Sequence, residues 1–500
     1  MTATKRALSG SDNASNVALD GLAADFVREL GAHCVVTERT QLRTYECDGL
    51  TAYRCIPGLV VLPETAAQVA YVVRRCAELS VPFVARGAGT GLSGGALPVA
   101  TGVLIVLSRL TAIRAVCIDD ERVVVEPGVV NLDVSRAVAA EGYFYAPDPS
   151  SQQVCTIGGN VAENSGGAHC LKYGFTAHHV TGLEVVLPDG SVERFGGLAP
   201  DPVGYDIVGA LIGSEGTLGI VTEVTVRVVR IPDRVETVLA GFRSMDDAGE
   251  AVSAIVAAGV LPAAVEMMDT LSVEAAEAAV ACGYPAGAAA VLIVELDGPA
   301  AEVSVELGEV RAYCERAGAF EIRVAADAED RVSIWRGRKS AFAAMGRISR
   351  DYIVQDGVVP RTSLPRVLRD IAALSAETGI RVANVFHAGD GNLHPLVLFD
   401  AAGGETEAAE AVSERIIELC IEHGGSITGE HGVGNDKKKH MGRMFSPVDL
   451  DVMQLVRCAF DPDGLCNPGK VFPTPRLCGE RPGRRTGVHP IEAAGLGEVF

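Results

Sequence analysis

Arg86-Gly87-Ala88-Gly89-Thr90-Gly91-Leu92-Ser93-Gly94-Gly95 is the stretch on which the fold turns. Gly89 to Gly94 fits the dinucleotide fingerprint G-x-G-x-x-G, and Val81 to Arg86 before it reads as a strand. The context argues against a nicotinamide Rossmann site. That motif opens a helix whose N-terminus holds the pyrophosphate, whereas Gly95, Pro98 and Gly102 follow here, and both residue types oppose a helix. A ribose-binding acid is needed about 20 residues on, yet Gly95 to Ile118 contains no Asp or Glu. The run instead reads as a backbone nest. Its glycines allow the positive-φ turns that aim successive N–H groups at an anion.

Working outward, Ile56-Pro57-Gly58 marks a break before a strand at 59–62. A helix at 65–80 carries Val69, Val72, Val73 and Cys76 on one face. With the strand at 81–86 this makes a β–α–β opening. Strands follow at 103–107, 122–126 and 183–187, then at 191–195 after the turn Pro188-Asp189-Gly190. A long alternating strand at 219–229 carries Ile220, Val224, Val226 and Val228. A second α+β region has strands at 237–242, 263–268, 290–296 and 320–325. Its helices are predicted at 246–258, 270–281, 300–317, 329–343, 364–378 and 406–423. The division is 1–54 (a loose lead to residue 16, then part-helical), 55–235, 236–460, a closing segment 461–475 and a loose tail 476–500.

The 500 residues include 43 Lys and Arg against 64 Asp and Glu, a net charge of −21, which argues against a phosphate-tracking nucleic-acid binder. At 48% hydrophobic the chain builds substantial cores and is not broadly disordered. No apolar run reaches the roughly 18 residues of a membrane span. The polar start lacks a signal-peptide core, so the expected location is the cytoplasm. The 13 Cys are scattered without a C-x-x-C pair, which reads as reduced thiols and not as a disulfide frame or an iron–sulfur site.

Further small-residue loops occur at Thr156-Ile157-Gly158-Gly159-Asn160, Asn164-Ser165-Gly166-Gly167 and Gly213-Ser214-Glu215-Gly216-Thr217-Leu218-Gly219. Several such loops in one region suit a long ligand lying against backbone. Together with Pro147-Asp148-Pro149-Ser150-Ser151 they resemble the FAD-binding domain of the vanillyl-alcohol-oxidase (PCMH) type flavoproteins. Within that group the chain resembles the D-2-hydroxy-acid dehydrogenases and FAD-binding glycolate oxidase subunits, over about residues 45–475. The resemblance implies an α+β chain: a two-part FAD-binding domain, then an α+β cap with a ferredoxin-like sheet. It implies FAD contacts at Arg86, Gly87, Gly89, Thr90, Gly91, Ser93, Gly94, Pro147, Ser151, Thr156, Gly158, Asn160, Gly166, Glu215, Gly216, Ile220 and Asn467. Some relatives bind flavin covalently through a His in the 86–95 loop. Thr90 stands there, so non-covalent FAD is expected. Phe460 to Lys470 resembles the family's closing segment, which returns to the flavin domain.

His387-Ala388-Gly389-Asp390-Gly391-Asn392-Leu393-His394 is the densest chemistry. As a hairpin with Asp390-Gly391 at its tip, it sets His387 directly opposite His394, Cβ atoms about 4.5–5.5 Å apart. Even a looser turn brings its ends together. Gly429-Glu430-His431-Gly432 offers a carboxylate and a further His. Two His and a carboxylate suit Zn, Mn or Fe. The resemblance makes His387, His394 and Glu430 metal ligands and His431 the proton acceptor. Arg338 is the candidate for a substrate carboxylate, since guanidinium binds one through two parallel hydrogen bonds, and the family's carboxylate-binding Arg matches it. Relatives acting on 2-hydroxyglutarate carry a Lys where this chain has Ile353-Val354-Gln355-Asp356, which favours a short monoacid. His169, His178, His179, His423 and His440 read as packing or surface residues, Lys437-Lys438-Lys439 as a solvated face, and Trp335 and Phe342 as core.

The expected function is oxidation of a short D-2-hydroxy acid, glycolate or D-lactate, with hydride passing to flavin and electrons to an external acceptor. The resemblance implies partner subunits, one bearing iron–sulfur clusters and another with a second flavin domain, docked at the inner face of the membrane. Two rivals stand beside it: a metal-dependent hydrolase using the His/His/Glu set, and a non-catalytic flavin-bearing scaffold subunit.

Overall fold

The structure is a computed structural model and describes residues 11–199 and 204–473. After the Ile56-Pro57-Gly58 break, strand Leu59–Val61 runs parallel to Val103–Val106, which runs parallel to Phe83–Arg86. Alternate side chains go to opposite faces. Leu59, Val61, Val103 and Ile105 pack with Leu22, Phe26, Val69 and Val73, while Val60, Val84, Leu104 and Val106 pack with Leu42. Helix Ala66–Glu78 starts where the Thr65 hydroxyl accepts from the Gln68 N–H at 3.2 Å, an N-cap.

The lead is shorter than expected. A helix spans Ser11–Leu30, so residues 11–16 are helical. Leu19, Leu22, Phe26 and Leu30 form a stripe on the first sheet, and a helix nucleated by that packing propagates outward. Residues 1–10 of the expected lead, and the expected tail 476–500, lie outside the described residues. A second, antiparallel sheet is ordered Ile113–Cys117, Arg122–Val125, Ile220–Arg227, Val180–Val186, Val192–Gly196. These two sheets make the two-part first half.

In the second half, Arg234–Phe242, Ala264–Asp269, Ala290–Gly298 and Glu321–Val324 pair antiparallel. Taken in chain order they lie 4-1-3-2, the ferredoxin-like arrangement. Arg381–His387 pairs with Ala264–Asp269 and extends the sheet through Asn392–Phe399 to Asp351–Val354. Helices cover both faces. Met245–Ala257, Ala300–Arg316, Leu364–Thr378 and Thr406–Glu422 pack on one, and Thr270–Val280 and Ala328–Ala344 on the other. The strands are therefore near-continuous apolar runs, and Glu266, Glu295 and Asp297 stand out as buried acids within them.

The closing segment returns to the first sheet. The Phe83 N–H donates to Leu465 O, and the Asn467 N–H donates to Phe83 O. Among the described residues no helix is long and apolar enough to cross a membrane.

Candidate active site

A cavity of about 980 Å3 has Arg86, Gly87, Gly89, Thr90, Gly91, Ser151, Thr156, Gly158, Asn160, Gly166, Glu215, Gly216 and Ile220 in its wall. The second half contributes Lys339, Phe342, Arg350, Glu430, His431 and Lys437 to the same cavity. The nest reading is geometrically sound. A Cβ on Gly87 would sit 2.3 Å from Thr156 Oγ1, and Gly89 has φ +71, so bare backbone faces the space. The Thr156 hydroxyl caps the short helix Ile157–Glu163 by accepting from Gly159 N–H at 3.3 Å. A long ligand with a pyrophosphate fits such a cradle.

Four expected contacts lie behind the wall. Ser93 O accepts from the Asn435 and Asp436 N–H groups at 3.0 and 3.1 Å. A Cβ on Gly94 would meet Asn435 at 3.2 Å. Pro147 O accepts from Asn131 Nδ2, which also donates to Asn160 Oδ1. Asn467 Nδ2 donates to Gly95 O at 2.9 Å and Glu215 O at 2.6 Å. These residues brace the cradle.

The hairpin register differs from the expected one. His387 pairs with Asn392, and His394 pairs with Val385. The loop is Ala388–Gly391, four residues closed by Gly391 N–H on His387 O at 3.2 Å, and not a two-residue Asp390-Gly391 turn. Gly391 has φ +82, and a Cβ there would lie 2.1 Å from Val359 O, so the loop folds tightly against the segment just after strand Gly357–Val358. The imidazoles are diagonal neighbours on one face, ring centroids 5.1 Å apart.

Glu430 Oε1 lies 3.2 Å from His394 Nε2 and 3.6 Å from His387 Nε2. Ligand atoms about 2.1 Å from a tetrahedral ion stand about 3.4 Å apart, so both Glu430–imidazole distances suit a shared ion, and the three ligand atoms all lie within 4.8 Å of one another. His387 Nδ1 is 2.6 Å from Glu266 Oε1. A carboxylate only accepts, so Nδ1 donates to Glu266, which orients the ring and leaves Nε2 as the atom that would face an ion beside Glu430, as in a carboxylate–histidine–metal relay. Burial, the strongest influence on Glu430, pushes its carboxyl up. Hydrogen bonds and charge from His387 and His394 outweigh this and hold it well below the usual range. Burial also presses His387 down, and Glu266 and Glu430 overcome it to raise the imidazole well above its ordinary value. The pocket thus attracts positive charge. His431 stacks on His394 with centroids 5.2 Å apart, and burial lowers its pKa to about 4 despite Asp356 nearby.

Arg338 lies on helix Ala328–Ala344, buried, and its Nε donates to Glu266 Oε2 at 2.6 Å. The cavity wall is formed by its neighbours Lys339, Phe342 and Ala343. Phe342 is therefore a cavity residue and not simply core; its ring meets that of His394 at 5.8 Å. Trp335 does pack in the core, its Nε1 donating to Glu295 at 2.5 Å. The lysine run is solvated only at Lys439. Lys437 is 2% exposed, and its Nζ donates to Asp356 at 3.2 Å. Its run of charge hid a buried ion pair. His169 joins the halves, with Asp148 at 2.8 Å and Glu295 at 3.0 Å on its two ring nitrogens. His179, His423 and His440 act as packing or hydrogen-bonding groups, and His440 also lines the cavity. Glu266, Asp356 and Lys437 escaped the sequence reading. The available signal was the acid inside an apolar strand run, Val265-Glu266-Met267, because such a charge needs a buried partner.

The model for "FAD linked oxidases, C-terminal domain" matches residues 231–471, and that for "FAD binding domain" matches 57–196. Glycolate oxidase subunit GlcD of Escherichia coli (strain K12) is 51% identical over 437 residues, 87% of this chain and 88% of that one. GlcD of Bacillus subtilis (strain 168) is 39% identical over 430 residues, 86% and 92% of the two chains. D-lactate dehydrogenase of Anaerostipes hadrus is 32% identical over 428 residues, 83% and 89%. Among solved structures, p-cresol methylhydroxylase superposes with TM-score 0.77 at 18% identity, covering 91% of this chain and 97% of that one. The 4-ethylphenol oxidase of Gulosibacter chungangensis superposes with TM-score 0.75 at 17% identity, covering 92% and 98%. At such identities these two speak to the fold alone, and they agree with the two-part first half and the cap.

Proposed function

The chain belongs to the FAD-linked oxidases, and from that premise we propose that it oxidises a short D-2-hydroxy acid, glycolate or D-lactate, to the 2-oxo acid. It is an FAD-dependent enzyme acting on hydroxy acids. The metal ion, the residue roles and the division at 55–235 and 236–460 are part of the proposal. One observation carries it: the glycine cradle and the Glu430–His431 loop open into a single cavity.

When bound, FAD supplies the two-electron acceptor and a divalent Zn, Mn or Fe ion supplies Lewis acidity at the substrate hydroxyl. The ion would be held by His387, His394 and Glu430, with Glu266 orienting the His387 ring. His431, neutral because it is buried, takes the hydroxyl proton, the task of a general base. Thr90 at the cradle agrees with dissociable FAD. Partner subunits, one bearing iron–sulfur clusters and one a second flavin domain, would receive the electrons at the inner face of the membrane.

The substrate carboxylate has two candidate holders. Arg338 is the first, on the family's pattern. Its burial against Glu266, behind the wall, favours a second reading in which Lys339 and Arg350 receive the carboxylate. A short acid suits either, because Phe342 fills the space beside His394.

The test is anaerobic addition of a panel of short D-2-hydroxy acids to the purified protein. A yellow protein bleached by glycolate or D-lactate is expected. A colourless protein that hydrolyses esters or amides would establish the metallohydrolase instead. A yellow protein that no hydroxy acid bleaches would establish a scaffold role.

A further inference from the structure

Asp356 is fully buried just beyond strand Asp351–Val354, and the function proposed above gives it no role. Its Oδ2 accepts from Thr428 Oγ1 at 2.6 Å and from the Gly429, Glu430 and His431 N–H groups at 3.0, 3.2 and 3.0 Å. The Glu430 N–H also reaches Oδ1 at 3.3 Å. Successive N–H groups converging on one anion make a nest, and here the anion is the chain's own carboxylate. Lys437 Nζ balances the charge from 3.2 Å. On its other side Asp356 Oδ1 stands 3.9 Å from His394 Nδ1, a buried nitrogen with no hydrogen-bond partner.

The arrangement mirrors that behind the other imidazole. Glu266 faces His387 Nδ1 and is balanced by Arg338; Asp356 faces His394 Nδ1 and is balanced by Lys437. We propose that Asp356 is a positioning residue that shapes the Thr428–His431 backbone, so that Glu430 meets the two imidazoles and His431 faces the cavity. The loop contains Gly429, Gly432 and Gly434 and has little shape of its own. Thr428 reinforces it, because its hydroxyl also accepts from the Gly432 N–H at 3.0 Å. This role rests on the proposed metal-assisted oxidation.

The experiment compares wild type, Asp356→Asn and Thr428→Val as full-length, FAD-loaded proteins. It measures zinc and manganese affinity by titration, and the limiting rate of anaerobic flavin bleaching at saturating metal and hydroxy acid, per flavin. Asp356→Asn should keep bound FAD and weaken metal binding by about 10- to 100-fold. Its limiting rate should fall about 100-fold, as expected for a misplaced reacting group, while KM changes little. Thr428→Val should move both readouts in the same direction by less. A role confined to stability would lower Tm and leave both readouts untouched, which would overturn the proposal. If Asp356→Asn does not fold, Thr428→Val decides: wild-type metal affinity and rate would overturn it. If no hydroxy acid bleaches the wild-type flavin, the functional reading fails by itself, and the metal titration still decides for Asp356.

Discussion

At the scale of single residues, His431 carries the sharpest expectation. His431→Ala should retain FAD and metal but lose at least about 100-fold in kcat, read from steady-state turnover with a dye acceptor. The base form of an imidazole exists above its pKa, and burial has lowered that of His431 to about 4. Flavin reduction should therefore hold steady from pH 8 down to pH 5 and decline only below that. A decline centred near the ordinary histidine value, about 6.5, would show that His431 is not the proton acceptor. The carboxylate question is equally local. If Arg338 holds the substrate, Arg338→Ala raises KM; if Lys339 and Arg350 do, their alanine variants raise KM while Arg338→Ala mainly weakens metal binding through Glu266. The titratable residues with visible chemistry, His387, His394, Glu430 and His431, were legible because each sits in a dense polar motif. Glu266 and Asp356 were not, because a lone acid in a strand or at its end looks the same whether it faces solvent or a buried imidazole.

Among the elements, the His387–His394 hairpin shows how far spacing reaches. The two imidazoles share a face because the period of a strand is two, and that survives a change of turn. The turn length itself did not survive. Asp390-Gly391 satisfies the local preference for a tight turn, but close contact with the Val359 carbonyl, just beyond strand Gly357–Val358, accompanies a four-residue loop. Gly391→Ala meets both a positive φ and the Val359 carbonyl. It should destabilise the protein by about 1–3 kcal/mol and lower metal occupancy, measured by thermal melting and metal analysis. The strands of the second half were legible as apolar runs, and their ferredoxin-like order followed from the resemblance. The extension of that sheet through Arg381–His387 was not anticipated, since pairing between segments over a hundred residues apart leaves no local mark.

Over the whole molecule, the halves meet through charged groups as well as apolar ones. His169 bridges Asp148 and Glu295, and Lys172 pairs with Asp297. Burial opposes the His169 charge, but Asp148 and Glu295 outweigh it and raise its pKa well above the ordinary value. A raised histidine contributes stability that is complete below the unfolded value of about 6.5 and is lost as pH rises through the folded one. Tm should therefore fall as pH is raised from 7 to 9, and His169→Gln should flatten that dependence, as followed by flavin fluorescence on heating. The two-part first half followed from the resemblance that its glycine loops carry; the His169 bridge was not legible, because Glu295 lies 126 residues away in the chain. The strand-like contact of Leu465 to Asn467 with Phe83 bears on biosynthesis. Asn467 is anchored to Gly95 and Glu215, so the chain must leave the ribosome through residue 467 before the nucleotide-holding wall gains its final brace. A nascent chain stalled before that asparagine emerges leaves the wall unbraced on that side.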